Sequence, residues 1–151
     1  MRIAIANDHA GVELKKALTK MLEEKGHRVI NLGTDSQESF DYPLAGAKLG
    51  LTVREGKADL GIGICGTGIG ISLACNKIRG IRAALCSDTF SARMARQHNN
   101  ANIICLGARV LGEELAKDIV NEWLNAKFEG GKHERRVNMV MDIEARETKI
   151  K

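Results

Sequence analysis

Residues Leu60-Gly61-Ile62-Gly63-Ile64-Cys65-Gly66-Thr67-Gly68-Ile69-Gly70-Ile71-Ser72 decide how this chain is read. Leu60–Ile64 is a short apolar run that reads as a strand. It breaks into three glycines within five residues, and a helical pattern follows to about Lys77. The same strand-then-helix alternation extends both ways. Upstream, Ile3–Ala6 reads as a strand. Gly11–Lys25 reads as a helix, with Leu14, Leu18, Met21 and Leu22 on one face and Gly26 ending it. Val29–Leu32 is a second strand and Gly33–Tyr42 a polar loop. Pro43 is placed to start a helix running to about Glu55, stopped by Gly56. Downstream come a strand at Ile81–Cys86, a helix at Thr89–Gln97, a strand at Asn102–Leu106 and a helix at Leu111–Ala126. A polar tail helix follows Gly130-Gly131, over about Glu134–Glu147.

Five such units predict an α/β fold: one doubly wound, Rossmann/flavodoxin-like domain with a five-stranded parallel sheet, plus the C-terminal tail helix. No linker or repeat divides the chain, so residues 1–151 read as one domain with a tail from about 130. Ligands of open sheets bind at the carboxyl ends of strands where strand order reverses. The first strand borders that point, with the third as its partner in the flavodoxin-like order. The site is therefore expected just after Ala6 and just after Ile64.

Composition narrows the function. Of 151 residues, 28% are charged and 44% hydrophobic, the balance of a soluble globular protein. Aromatics are only 3%, which argues against a platform for stacking nucleic-acid bases. A net charge of +4 allows an anionic ligand but demands neither nucleic acid nor a membrane surface. The N-terminal apolar run stops at Asn7-Asp8, too short for a signal peptide, and no stretch approaches a membrane span. The four cysteines, 65, 75, 86 and 105, form no C-x-x-C and no zinc spacing. Reduced thiols in the cytoplasm and no metal are the expectation.

The Gly-rich loop offers backbone amides and the positive end of a helix dipole, which together make an anion site. A ligand phosphate and an oxyanion developing during reaction both suit it. Cys65 at its entry reads either as a small apolar strand end or as a thiolate base or nucleophile favoured by the helix N-terminus. Cys75, Cys86 and Cys105 read as core residues. Gly61-Ile62-Gly63-Ile64-Cys65-Gly66 matches G-x-G-x-x-G, but two of its glycines lie inside a strand and the turn after the first strand holds only Gly11. That pattern argues against a nicotinamide site.

Elsewhere each motif has two readings. Asp8 caps the first helix and His9 is idle, or the two hold a proton or phosphate at the crevice mouth. Asp41-Tyr42-Pro43 is explained as a cap with proline at the first helical position. His98 at a helix end is a favourable charge at the dipole's negative pole, and Asn99, Asn100 and Asn102 make a polar turn. Arg109 follows the fifth strand. Lys132, His133, Arg135 and Arg136 after the Gly-Gly hinge are a solvated helix start or a phosphate clamp.

Taken in order, N-D-H-A-G, D-Y-P, I-C-G-T-G-I-G-I-S with A-C-N-K, G-I-R-A-A, R-Q-H-N-N-A-N, G-A-R-V and G-G-K-H-E-R-R-V resemble the ribose-5-phosphate isomerase B branch of the sugar-phosphate isomerases, which also holds the galactose-6-phosphate isomerase subunits. The resemblance spans essentially the whole chain. It implies an aldose–ketose isomerase without cofactor or metal, acting on ribose 5-phosphate and ribulose 5-phosphate through a cis-enediolate. It also implies a homodimer, sometimes paired into a tetramer, with active sites shared between subunits.

In that family the cysteine opening the loop, here Cys65, is the base, and the amides of Gly66, Gly68 and Gly70 stabilise the enediolate. Thr67 assists proton movement between sugar oxygens. His98 is associated with opening the furanose ring, with Asp8 close by. Asn99 partners sugar hydroxyls and Tyr42 packs at the pocket. His9, Arg109, Lys132, His133 and Arg136 resemble the phosphate-binding set, and His98 and Arg109 are expected to reach a neighbouring subunit's site. Members lacking the cysteine use a glutamate at the position of Ile71, so the cysteine type is favoured here. Lys132 departs from the more usual arginine and binds phosphate as a point charge rather than a fork. The competing readings are the same chemistry on galactose 6-phosphate, allose 6-phosphate or a tetrose phosphate, and a non-catalytic phosphate-binding module.

Overall fold

The computed structural model describes residues 1–149. The tail's residues 150 and 151 lie outside the described residues. In chain order the elements are β1 (Arg2–Asn7), a 3-10 turn (His9–Gly11), α1 (Val12–Glu24), β2 (Arg28–Asn31), α2 (Tyr42–Arg54) and β3 (Leu60–Cys65). Then follow α3 (Ile69–Asn76), β4 (Ala83–Leu85), α4 (Thr89–Gln97), β5 (Ile103–Gly107), α5 (Glu113–Asn125) and α6 (Lys132–Lys149).

All strands pair in parallel, in the order β2-β1-β3-β5-β4. The expected β1/β3 border is present. The outer pair departs from the flavodoxin-like order, because β5 lies between β3 and β4. Burial gives the reason. β5 is buried along its whole length, whereas β4 is short and half-exposed, as suits an edge.

Alternation along the strands makes two cores. Ile3, Ile5, Leu60, Ile62 and Ile64 face α1, α4 and α5, with Trp123 buried among them. Ala4, Ala6, Cys65, Ile103 and Cys105 face α2 and α3. Small residues on this second face let the helices approach closely. A Cβ at Gly61 would stand 3.0 Å from Leu49 and Ile103, and one at Gly63 would stand 3.1 Å from the Cys105 sulfur. The G-x-G of β3 is therefore a packing feature. It also fixes the direction of Cys65, which shares that face of the strand.

The tail helix begins at Lys132, two residues before the expected start. It packs through His133 and Val137, and its Glu144 carboxylate accepts the Gly80 amide at 3.0 and 3.1 Å, just ahead of β4. Among the described residues, no helix is long and apolar enough to cross a membrane.

Candidate active site

The carboxyl ends of β1 and β3 meet where the Asp8 amide donates to the Ile64 carbonyl at 3.1 Å. Asp8 is buried, and its Oδ1 accepts the Ala10 amide at 2.9 Å, so it caps the 3-10 turn His9–Gly11 and not the first helix as expected; α1 starts after Gly11 with no side-chain cap. His9 Nδ1 accepts the Phe40 amide at 3.1 Å, so the ring's proton sits on Nε2, and the loop between β2 and α2 is tied to the site. Tyr42 begins α2 and its ring covers Gly70, where a Cβ would stand 2.7 Å from the ring atoms. Asp41 occupies the N-cap position, but its side chain makes no capping bond, which corrects the expected cap. Its carbonyl instead accepts the Leu44 amide at 3.1 Å, and Pro43 is the second helical residue.

The Gly-rich loop is held by its own chemistry. Cys65 Sγ accepts the Gly68 amide at 3.1 Å, and Thr67 Oγ1 accepts the Ile69 amide at 3.3 Å. Gly68 caps α3 in the left-handed region, at φ 79°. The sulfur thus has a donor and a helix N-terminus directed at it, where a thiolate's charge would collect. Cys65, Cys86 and Cys105 are all buried. Burial pushes the Cys86 thiol up to about 11, with Asp88 adding to it. Cys105 is raised well above the ordinary range by its hydrogen bond with Cys75 and by burial. Ile71 is fully buried in the second core, away from any acid-base role.

Arg109 joins this half. Its amide donates to Gly66 O at 2.9 Å, and its guanidinium lies along Gly66, Nη1 standing 3.3 Å from where a Cβ would sit. The resemblance grouped Arg109 with His98, but the structure places it beside Cys65 of its own chain.

The remaining expected residues form a second half at the amino edge of the sheet. His98 ends α4, and the turn after it carries Asn100 at φ 46°. Two arginines hold that turn. Arg82 donates to the carbonyls of Asn99 (3.1 Å) and Asn100 (2.9 Å), and Arg96 donates to Asn100 Oδ1 (2.8 Å) and Ala101 O (3.2 Å). Asn102 O accepts the Gly61 amide at the start of β3. His98 stacks on His133, with ring centroids 4.1 Å apart and planes 4° from parallel. Glu129 Oε2 lies 3.3 Å from His133 Nε2 and 3.9 Å from His98 Nε2. Burial pushes His133 below the ordinary histidine value, helped by His98, Lys132 and Arg136 and opposed by Glu129. Lys132 and Arg136 are exposed on the first turns of α6.

The two halves are far apart within one chain. Gly61, bonded to the Asn102 turn, and Cys65 are separated by four residues of extended strand, roughly 13 Å. Asp8 and His98 therefore do not meet in a single chain. Sequence reading gave no role to Arg82, Arg96 or Glu129, although Arg82 and Arg96 stand inside the G-I-R-A-A and R-Q-H-N-N-A-N motifs. Glu129 left a signal in its spacing of four from His133.

A doubly wound sheet with a cysteine–amide loop at its switch point defines the class: an α/β enzyme scaffold built to handle a small anionic substrate. The Ribose/Galactose Isomerase family model matches residues 3–140. Ribose-5-phosphate isomerase B of Escherichia coli is 49% identical over 145 residues, covering 96% of this chain and 97% of that one. The D-erythrulose-4-phosphate isomerase of Pectobacterium atrosepticum is 48% identical over 132 residues, 87% of each. Among solved structures, ribose-5-phosphate isomerase B of Clostridium thermocellum superposes with a TM-score of 0.95 at 50% identity, covering 97% of this chain and 99% of that chain. The chain belongs to the ribose/galactose isomerase family.

Proposed function

We propose that this chain interconverts ribose 5-phosphate and ribulose 5-phosphate, and that Cys65 is the base. The observation that carries the reading is the Gly68 amide bonded to the Cys65 sulfur in a helix-capping loop at the β1/β3 border. Moving a proton next to a carbonyl needs a base and a place for the oxyanion. Cys65, as thiolate, takes the C2 proton of the open-chain aldose. The electron pair shifts into a C1–C2 double bond, and O1 carries the enediolate charge against the amides of Gly66 and Gly70, joined by that of Gly68 once the sulfur holds the proton and releases it. Thr67 passes a proton between O2 and O1. Cys65 then returns its proton to C1, which leaves the ketone at C2.

His98 with Asp8 opens the furanose ring first, Asn99 orients hydroxyls, and Tyr42 walls the pocket. His9, Arg109, Lys132, His133 and Arg136 hold the phosphate. Because these groups sit in two halves at opposite edges of one sheet, the active form is a homo-oligomer in which one subunit's Cys65 half meets another's His98 half. Leu44, Ile69, Leu73 and Leu85 are exposed, Ile69 and Leu85 beside Gly68 of the Cys65 loop, and suit such an interface. The cytoplasm, where thiols stay reduced, is the proposed compartment, and pentose phosphate metabolism the setting.

A second reading is favoured by one observation: a 48% identical relative is named for a four-carbon ketose phosphate. Steady-state assays with ribose 5-phosphate, erythrose 4-phosphate, allose 6-phosphate and galactose 6-phosphate decide between substrates. The highest kcat/KM is expected for ribose 5-phosphate. Tight binding without turnover of any of them would leave only a phosphate-binding module.

A further inference from the structure

The His98–His133 stack has a carboxylate at its edge. Glu129 is tethered there by its own backbone, since its amide donates to the carbonyl of Gln97, the residue before His98, at 3.0 Å. The ligand-type atoms of His98, Glu129 and His133 all lie within 4.8 Å of one another. That chemistry suits a metal, but the ring planes do not. A metal bound along imidazole lone pairs lies in the plane of each ring, and two stacked, parallel rings share no such point.

The arrangement suits a held proton. Two stacked imidazoles repel each other when both are charged. His133 is the more buried of the two and also faces Lys132 and Arg136, whereas His98 is the more open. Glu129 is the carboxylate that stands against both rings, 3.3 Å from His133 Nε2 and 3.9 Å from His98 Nε2.

We propose that Glu129 is a positioning residue for ring opening: it keeps a single proton on the stacked pair and presents it on His98. The inference rests on the isomerase reading. In the step it serves, the C1–O4 bond of the furanose breaks and its electron pair goes to O4, which takes the proton from His98. The C1 hydroxyl gives its proton to Asp8 and becomes the aldehyde. Proton removal by Cys65 follows and does not involve Glu129.

Ring opening and enolisation can be measured apart. Ribulose 5-phosphate has no furanose form, because the oxygen that would close the ring carries the phosphate. Exchange of its C1 hydrogen in deuterium oxide therefore reads the Cys65 step alone. Conversion of ribose 5-phosphate reads both steps. Glu129→Gln keeps the shape and removes the charge. It is expected to slow ribose 5-phosphate conversion about 10- to 100-fold, part of what a general acid contributes, while exchange from ribulose 5-phosphate stays within about twofold. His98→Asn should show the same split, and Glu129→Asp should recover part of the loss. Equal losses in conversion and exchange would make Glu129 merely structural, and no loss in either would remove it from the mechanism. A wild-type protein that neither converts nor exchanges overturns the isomerase reading itself, a result distinct from both.

Discussion

Gly68 donates its amide hydrogen to the sulfur of Cys65 at 3.1 Å, and its left-handed backbone, φ 79°, turns the chain from that amide into α3. A side chain at Gly68 is opposed twice. The left-handed region costs an L-residue roughly 1–2 kcal/mol. A Cβ there would also stand 2.5 Å from Leu85 Cδ1 and 2.8 Å from the Leu106 carbonyl carbon. Gly68→Ala is therefore expected to lower stability by more than the conformational cost alone and to reduce kcat with it. Urea unfolding and steady-state kinetics on the same sample check both.

Cys65→Ala is expected to lower kcat by about 10²–10⁴-fold, the usual contribution of a general base. Substrate should still bind, since the phosphate contacts lie on other residues, and titration calorimetry reads that directly. Cys65→Ser should fail as well, because a hydroxyl is a far weaker acid than a thiol. Cys86→Ala serves as the contrast. Its thiol is held up to about 11 by burial, so it supplies no thiolate near neutral pH. Its loss should cost about 1 kcal/mol of stability, as a small core truncation does, and leave kcat unchanged.

The strands and most helices were legible because each is a short apolar run or a helical stripe bounded by glycine. The order of β4 and β5 was not, since local periodicity says nothing about which of two strands lies inside. Comparing Ile103–Gly107 with the half-exposed Ala83–Leu85 would have hinted at it. The Cys65 loop was legible from its glycines. The separation of His98 from Cys65 was also available: a helix that feeds a parallel strand ends at the strand's amino edge, so His98 at the end of α4 stands opposite a residue that ends β3. Arg82 and Arg96 stand in quoted motifs, but their role was not legible because they act on backbone carbonyls of a turn whose shape, with Asn100 at positive φ, no local pattern announces.

Arg136→Ala is expected to raise KM for a phosphorylated sugar far more than it lowers kcat, if the phosphate is held equally in ground and transition states. Arg136 is exposed on the second turn of α6 and carries a rigid fork suited to phosphate oxygens. An unchanged KM removes it from the site.

The loop between β2 and α2 hangs on Lys15, a buried lysine whose ammonium contacts Asp35 Oδ1, Asn31 Oδ1 and Thr34 O at 2.5, 3.1 and 2.7 Å. The Lys15 hydrogen bond, and then that from Asn31, hold the Asp35 carboxyl below its ordinary value of 3.8. A carboxylate depressed on folding stabilises the fold above its unfolded pKa, and that contribution is lost as pH falls through the folded one. Lys15→Met should therefore differ most from wild type near neutral pH. The gap should narrow as pH drops below 3.8, without closing, because the bonds to Asn31 and Thr34 are lost at every pH. Urea midpoints measured across that range test the sign. A gap independent of pH would mean that Asp35 contributes nothing.

The divided site gives the most direct test of assembly. One chain keeps Cys65, His9 and Arg109 at the carboxyl edge of the sheet and His98, His133 and Arg136 at the amino edge. If activity needs a meeting of unlike edges from two subunits, Cys65→Ala and His98→Asn each inactivate every site of their own homodimer. In a mixed dimer one site inherits both defects and the other inherits neither. Random exchange makes about half the dimers mixed, each with one intact site of two, so the mixture should regain about a quarter of wild-type activity. Exchange is verified by mass spectrometry of differently tagged subunits, and activity is followed as mixing proceeds. Recovery that tracks the mixed fraction supports a shared site. If exchange is complete and activity stays at the level of the separate variants, both halves must act within one chain, and the roles assigned to His98 and Glu129 fall with the shared site.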